Sequence, residues 1–362
     1  MKINSTEIEN FRNISHLKLD FDDVNIIYGE NAQGKTNLIE AIELFTGSKS
    51  FRGVRDRELV KFGEEYARLR AEFENSTRKQ NAEIIIKKNR QVSLNGIKKK
   101  SPTALGEELK AVVFSPVHLS MVKDGPSERR HFIDNALCQL KSNYRNILKD
   151  YNRSLTQRNM LLKDLQSNPS MKEMLYIWDK NLAASGAKII YQRQKYIEAL
   201  LPFAREVFEG LSRGREMLNL KIKGVFEYEE KSVDELYKEL MYALDNSRSE
   251  DILNRITTQG PHRDDLEIMI NSNSARTYGS QGQQRSCVLA LKLAEASLLR
   301  EMTQEEPLAL LDDVMSELDI HRQDYILNHI KDWQVFITCC DVNTVLRLKE
   351  GKTFHIENGG LI

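Results

Sequence analysis

The sequence lacks several features that define whole classes of protein. No apolar run approaches the roughly 20 residues that a membrane-spanning helix needs, and residues 1–13 contain no apolar stretch typical of a signal peptide. The four cysteines form neither a C-x-x-C pair nor a metal-binding spacing; they are Cys138, Cys287, Cys339 and Cys340. We therefore expect a soluble, cytoplasmic protein whose thiols are reduced.

The chain also lacks an excess of charge of either sign. Lys and Arg together number 53, as do Asp and Glu, so the formal net charge is zero over 362 residues. Because the chain is not basic overall, any binding to DNA must use local patches or a surface formed by assembly. The apolar content of 40% is ordinary for a globular protein, and the length allows two or three domains.

The segment GENAQGKT (Gly29–Thr36) fits the P-loop pattern G-x-x-x-x-G-K-[ST] at every required position. A strand-like apolar run precedes it and a helical apolar pattern follows. The pattern predicts ATP and Mg²⁺ as cofactors, with Lys35 neutralising phosphate oxygens during catalysis and the Thr36 hydroxyl binding the metal. The residues predicted to contact the nucleotide in this part of the chain are Gly29, Asn31, Gly34, Lys35, Thr36 and Asn37.

Two aspartates close the apolar run Leu308–Leu311. A carboxylate at the tip of a buried strand beside a P-loop is typical of a metal-holding aspartate, and we predict that role for Asp312. Asp313 is then the predicted catalytic residue, which orients or deprotonates the attacking water. The alternative is a pair of turn residues at the end of a strand.

A second polar loop, SQGQ (Ser280–Gln283), precedes another helical apolar pattern. Hydrolysis requires stabilisation of the γ-phosphate on both sides, because charge spreads over its oxygens in the transition state. The P-loop covers one side, and Ser280, Gln281, Gly282 and Gln283 offer polar groups for the other. If they do not reach their own P-loop, they serve a second copy, and two chains enclose two ATP molecules. The alternative is an ordinary helix cap at Ser280.

The two ends of the chain read as α/β and the middle as helical. Strand patterns fill residues 1–28 and 67–100, with a turn at Asn95-Gly96, whereas helical patterns dominate from about residue 127 to 255. We predict one ATPase domain, residues 1–125 plus 256–362, split by an inserted mainly helical domain at 126–255. A heptad-like seam broken by Arg158, then a turn and a second helical stretch, predict a short antiparallel helical hairpin in the insert.

Together these motifs resemble the ABC-type P-loop ATPases of the SMC and Rad50 class. Further segments resemble the RecF family of bacterial DNA replication and repair proteins: IENFRN (8–13), SFRG (50–53), FSP…GPSERRHFID (114–134), GPHRDDL (260–266) and LLDDVMSELD (310–319). The resemblance extends from residue 3 to the last predicted strand. It implies an α/β fold of the ABC type, a mixed sheet with helices, for the split domain.

The resemblance implies an ATP-dependent homodimer with weak, DNA-stimulated ATP hydrolysis. It implies binding to double-stranded, gapped or junction DNA without sequence preference, loading of RecA together with RecO and RecR, and a part in the SOS response. It places Arg12 and Asn13 near the nucleotide phosphates, Ser280–Gln283 on the ATP of the opposite subunit, and Asp319 in the D-loop. Asp313 stands where such ATPases usually have glutamate, and no switch histidine follows the late strand, so the γ-phosphate sensor stays open.

Short basic patches are the candidates for DNA contact. The residues predicted to meet DNA phosphates are Lys87, Lys88, Lys98, Lys99, Lys100 and Arg52. Lysine and arginine bind the DNA backbone independently of sequence. The alternative for each patch is a solvated charged surface.

Three other functions are compatible with a P-loop. The main alternative is the nucleotide-binding subunit of a membrane transporter, but such modules place the signature loop much sooner after the P-loop than the about 245 residues found here. A true SMC or Rad50 protein needs a far longer coiled coil. A metabolic P-loop kinase would not explain Ser280–Gln283.

Overall fold

The computed structural model describes residues 1–141, 143–341 and 351–362. Its strands are β1 (Lys2–Phe11), β2 (Ile14–Asp20), β3 (Val24–Tyr28), β4 (Ala67–Glu74), β5 (Lys79–Ile86), β6 (Arg90–Leu94), β7 (Ile97–Lys99), β8 (Ala111–Phe114), β9 (Leu218–Lys223), β10 (Asp265–Ile270), β11 (Asn273–Ser274), β12 (Leu308–Asp312), β13 (Val335–Cys339), β14 (Lys352–Glu357) and β15 (Gly360–Leu361). Its helices are α1 (Lys35–Leu44), α2 (Pro116–Leu119), α3 (Pro126–Leu140), α4 (Tyr144–Asp164), α5 (Leu175–Ser212), α6 (Val233–Asn246), α7 (Arg248–Asn254), α8 (Ala275–Tyr278), α9 (Gln281–Thr303) and α10 (Ile320–His329).

The chain divides into two compact units. The first comprises residues 1–120, 203–217 and 280–362, and the second comprises residues 121–202 and 218–279. Because β9 pairs with β10 along its whole length, residues 256–279 lie in the second unit with the helices. The domain boundaries at residues 126 and 255 stay a prediction. Within the described ranges, no helix combines the length and the apolar character that spanning a bilayer requires.

The first unit is built on two six-stranded sheets. One is antiparallel, in the order β2-β1-β4-β5-β6-β7, and the other has the order β15-β14-β3-β13-β12-β8, parallel from β14 to β8. The central strands β3, β13 and β12 are almost entirely buried, as expected for a parallel sheet covered on both faces. Their register aligns Ile27, Thr338 and Asp312, so the P-loop and the Asp312 carboxylate emerge at the same edge.

The second unit contains the predicted helical hairpin. Helices α4 and α5 run antiparallel: Tyr151 packs at Gly186, and Arg158, further along α4, pairs with Asp179, nearer the start of α5. The three-stranded sheet β11-β10-β9 belongs to the same unit.

Arg158, which interrupts the apolar seam of α4, is the centre of a buried ionic cluster. Its Nε donates to Asp179 Oδ1 at 2.7 Å, and its Nη1 donates to Asp251 Oδ2 at 2.6 Å and to Thr257 Oγ1 at 2.9 Å. Arg158, Asp179 and Asp251 are all fully buried. Arg248 donates to the other oxygen of Asp179, so two positive charges balance two negative ones.

We expect Arg158→Ala to destabilise the second unit by about 3–5 kcal/mol, because it leaves two buried carboxylates without their shared partner. Lys195→Ala is the control: it breaks an exposed pair with Glu198 and is expected to leave the free energy of unfolding nearly unchanged, because water screens the pair. Chemical denaturation followed by Trp178 fluorescence in a Trp333→Phe background measures the difference. Equal unfolding free energies for the two variants would contradict the prediction.

Candidate functional site

The P-loop connects β3 to α1, as its sequence context predicts. Gly34 caps α1 with φ 113°, and a Cβ at this position would lie 2.7 Å from Asn13 Oδ1. A Cβ on Gly29, at φ 151°, would lie 2.3 Å from the Ile356 carbonyl oxygen. Only glycine fits these two positions. The first backbone N–H groups of α1 have no partner within the helix and favour an anion at this end.

Lys35 occupies the mouth of this loop. Its Nζ donates to the carbonyl oxygens of Gly29, at 2.7 Å, and Glu30, at 2.8 Å. The Cys340 Sγ lies 3.8 Å from the same ammonium and 3.1 Å from Asn31 Oδ1. The buried ammonium is thus held against the backbone of the P-loop, the segment predicted to bind phosphate.

Thr36 and Asp312, distant in sequence, are in direct contact. The Thr36 hydroxyl donates to Asp312 Oδ1 at 2.8 Å, and the Thr338 hydroxyl donates to the same oxygen at 3.0 Å. Burial raises the pKa of Asp312 above its ordinary value, while these two hydrogen bonds oppose the shift. A hydroxyl and a carboxylate are oxygen ligands of the kind that Mg²⁺ prefers, so this pair fits the metal role predicted for it.

Asp313 has a strained backbone. Its φ of 51° lies in the left-handed region, which is uncommon for a residue other than glycine. Its N–H donates to Thr338 Oγ1 at 2.8 Å, and the Ser316 hydroxyl donates to its carbonyl oxygen at 2.9 Å. These bonds fix the main chain next to Asp312, a local strain of the kind that clusters at functional sites.

Ser280 caps helix α9, which is the alternative given above to a phosphate contact. Its Oγ accepts from the Gln283 N–H at 3.3 Å, and its own N–H donates to Gln283 Oε1 at 2.7 Å. Gln283 also donates from Nε2 to Glu216 at 2.5 Å. Ser280 and Gln281 are exposed at the N-terminus of a helix of 23 residues, with Gly282 half-buried beside them.

Asp319 caps α10 and is linked to this loop through Arg322. The Arg322 guanidinium pairs with the Asp319 carboxylate and donates to the Gly282 carbonyl oxygen and to Ser286 Oγ, both at 3.0 Å. Burial would raise the pKa of Asp319, but the hydrogen bonds from Arg322 outweigh it and lower the pKa. The predicted D-loop and signature loop are therefore one connected structure.

The turn between β1 and β2 carries Arg12 and Asn13 to the P-loop. Asn13 Nδ2 donates to the Gln33 carbonyl oxygen at 3.0 Å, and Asn13 Oδ1 accepts from Asn37 Nδ2 at 2.7 Å. Arg52, which the sequence grouped with the DNA-binding candidates, donates to Asn37 Oδ1 at 3.0 Å. The structure thus brings Arg52 to the P-loop helix and not to the lysine patches.

The five candidate lysines lie on two neighbouring segments of the antiparallel sheet. Lys87 and Lys88 form the exposed turn between β5 and β6, and Lys98 and Lys99 are on β7, with Lys100 directly after it. Since Lys99 pairs with Val92 near the start of β6, Lys100 lies toward the same end of the sheet as Lys87 and Lys88. We call these five residues the lysine edge.

Sequence reasoning missed several residues that support the site. Glu40 pairs with Arg12, Arg322 links the two loops, Glu216 accepts from Gln283, and Thr338 binds both Asp312 and the Asp313 N–H. The one available signal was the presence of Glu40 and Glu43 in a helix that is otherwise largely apolar. The other contacts depend on strand register and long-range packing.

Comparisons with known proteins identify the family of the chain. Residues 2–359 match the family model described as the RecF/RecN/SMC N terminal domain. A DNA replication and repair protein RecF from Agathobacter rectalis is 40% identical over 364 residues, covering 99% of this chain and 98% of the relative. The RecF protein of Bacillus mycoides is 39% identical over 366 residues, covering 99% and 98%.

Comparison with solved structures indicates the same family. A structure described as the recombination mediator protein RecF-ATPrS in the RecFOR pathway superposes with a TM-score of 0.93 at 37% identity, covering 99% of this chain and 97% of that one. A Smc head domain from Pyrococcus furiosus shares the fold alone, with a TM-score of 0.55 at 16% identity. The predicted ABC-type ATPase fold is confirmed, and the transporter alternative is not favoured. The chain belongs to the RecF family of DNA replication and repair proteins.

Proposed function

We propose that this chain is an ATP-dependent DNA-binding switch of recombinational repair and replication-fork maintenance in the cytoplasm. It dimerises on ATP, binds gapped or junction DNA, and is released by slow hydrolysis. The observation that carries the proposal is the 2.8 Å contact between Thr36 and Asp312, which joins the P-loop to the acidic strand end in the arrangement of a nucleotide hydrolase.

The residues of the chain divide the work of binding and hydrolysis. The N–H groups of the P-loop and the Lys35 ammonium bind the phosphates, while Asp313, fixed by Thr338, orients the attacking water. Mg²⁺, held by Thr36 and Asp312, would neutralise charge on the phosphate oxygens. Aspartate is shorter than the usual glutamate and places the water less well, so we expect slow turnover.

The signature loop completes the site of a second copy. Ser280 is exposed, and its N–H and Oγ are satisfied by Gln283, so the cap is formed before any ligand arrives. The N-terminus of a long helix with an exposed hydroxyl suits an anion presented by another molecule. In the dimer, each ATP is bound by Lys35 of one chain and Ser280 of the other.

The lysine edge supplies the DNA contact. Its lysines, all exposed except the half-buried Lys99, can bind phosphates without reading bases, which suits a protein that recognises DNA structure and not sequence. The solved RecF relative is described as part of the RecFOR pathway. We accordingly assign RecO and RecR as the partners with which this chain loads RecA during the SOS response.

Asp313→Asn tests the switch. The amide cannot accept a proton from water, so we expect hydrolysis to slow about a hundredfold, while ATP binding persists. The variant then stays dimeric on gapped DNA long after the wild-type protein has dissociated. Single-turnover hydrolysis and the lifetime of the complex on gapped DNA measure this, with the exposed Asp324→Asn on α10 as the control. Wild-type turnover in Asp313→Asn would transfer the catalytic role to another residue.

A further inference from the structure

The carboxylate of Glu40 is fully buried in the middle of α1. Its Oε2 accepts from Arg12 Nε at 2.9 Å, and its Oε1 accepts from Arg12 Nη2 at 3.0 Å. The Ser50 hydroxyl also donates to Oε1. A paired contact of this kind fixes both the position and the plane of a guanidinium group.

Arg12 needs such support because its backbone is strained. Its φ of 54° lies in the left-handed region, which is unfavourable for a residue other than glycine. Its N–H donates to the Leu59 carbonyl oxygen at 2.9 Å, and Nη1 donates to the Glu58 carbonyl oxygen at 3.1 Å. The Arg12 side chain pairs with the buried Glu40 and is 18% exposed, so part of it is still in contact with solvent.

A shift of Arg12 would be transmitted to the P-loop through the next residue. Asn13 contacts Gln33 and Asn37 by hydrogen bonds of 3.0 Å and 2.7 Å. It also lies so close to Gly34 that a Cβ there would be 2.7 Å from its Oδ1. The turn that carries Arg12 and the loop that binds phosphate are therefore packed against each other without free space.

Arg52 is a second arginine that contacts both Glu40 and helix α1. Its Nη1 lies 3.8 Å from Glu40 Oε2 and donates to Asn37 Oδ1 at 3.0 Å. The carboxylate thus connects the β1–β2 turn, helix α1 and the segment of Ser50 and Arg52. One carboxylate thus faces two guanidinium groups and fixes the positions of both.

We propose that Glu40 is a positioning residue of the nucleotide site. It holds Arg12, and with it the β1–β2 turn, in a fixed position against the P-loop. Glu40 is buried behind Arg12 and does not itself meet the nucleotide. Loss of its charge releases the guanidinium, lets the strained turn relax away from Gly34 and weakens ATP binding. The inference rests on the proposed function, since it assigns a role within the same site.

Glu43 provides a matched control on the same helix. It is also buried, at 8% exposure, and its Oε2 accepts from the Phe51 N–H at 2.9 Å. Burial raises the pKa of Glu43 to about 8, so its carboxyl is mostly uncharged at neutral pH. Replacing it with glutamine therefore changes little, whereas the same substitution at Glu40 removes a charge that faces two arginines.

The test is titration of the full-length chain with ATP. Glu40→Gln is expected to weaken binding about tenfold, the equivalent of one charge-assisted hydrogen bond, while Glu43→Gln stays within about twofold of wild type. In an Arg12→Gln background, Glu40→Gln is expected to add less than about twofold, because both changes remove the same interaction. Arg12→Lys keeps the charge but not the paired contact and is expected to lose about tenfold.

The outcomes separate this inference from the function on which it rests. A wild-type chain that does not bind ATP would refute the proposed function itself. Wild-type binding with unchanged affinity in Glu40→Gln, or an undiminished effect of Glu40→Gln in the Arg12→Gln background, would refute the role of Glu40 alone. If Glu40→Gln does not fold, Arg12→Lys decides: wild-type affinity in that variant would show that the paired contact is not needed.

Discussion

Lys35→Met is expected to abolish ATP binding and, with it, ATP-driven dimerisation. The substitution keeps most of the apolar stem of the side chain but removes the ammonium that contacts the Gly29 and Glu30 carbonyl oxygens in the P-loop. Losing charge-assisted bonds to a phosphate costs about 3 kcal/mol or more, which lowers the affinity by at least about a hundredfold. Equilibrium binding of a fluorescent ATP analogue and sedimentation with ATP measure the two effects.

The control for Lys35→Met is Lys18→Met, which removes an exposed lysine from β2. It is expected to bind ATP and dimerise as the wild-type chain does. Thermal unfolding shows whether the Lys35 variant remains folded. If Lys35→Met dimerised with ATP as strongly as the wild-type chain, the P-loop would not be the site of the ATP that drives dimerisation.

Ser280→Arg is expected to separate ATP binding from dimerisation. The substitution leaves the P-loop untouched, so the monomer binds ATP normally. It removes the serine offered to the opposite ATP and puts a long side chain at an exposed helix start, so we expect dimerisation with ATP to fall by at least about a hundredfold. Sedimentation velocity with and without ATP, together with ATP titration of the monomer, measures the two properties independently.

Ser232→Arg is the matched control, because Ser232 caps α6 with the same reciprocal bonds that Ser280 makes on α9. Both substitutions lose a helix cap, worth about 1 kcal/mol, but only one of them is placed at the proposed dimer contact. Ser232→Arg is expected to dimerise normally. If Ser280→Arg lost ATP binding as a monomer, Ser280 would serve the nucleotide of its own chain.

The sequence predicted best what depends on neighbouring residues. The P-loop was identified because strand, glycines, lysine and helix are contiguous, and Asn95-Gly96 does form the turn between β6 and β7. The shared metal-binding role of Thr36 and Asp312 was predicted from the P-loop pattern and from a carboxylate at the tip of a buried strand, and the structure places the two side chains in contact. The helical hairpin followed from helical periodicity on both sides of a predicted turn.

What the sequence did not reveal depends on contacts between distant segments. In the sequence, Arg158 is recognisable only as a break in an apolar pattern. Its partner Asp251 on α7 lies 93 residues further along the chain, so the sequence does not indicate the ion pair. In the sequence, Arg52 could not be distinguished from the other basic residues. Only the structure shows its contact with Asn37. Glu40 carried no motif at all, and its importance depends on being buried opposite two arginines.

One measurement tests most directly whether each nucleotide is shared between two chains: sedimentation of an equal mixture of Lys35→Met and Ser280→Arg with ATP. A mixed dimer contains one complete site, made from Lys35 of the Ser280→Arg chain and Ser280 of the Lys35→Met chain. We predict that each variant alone stays monomeric and that the mixture forms dimers holding one ATP each. A mixture that stays monomeric, although the Ser280→Arg chain binds ATP, would contradict this prediction.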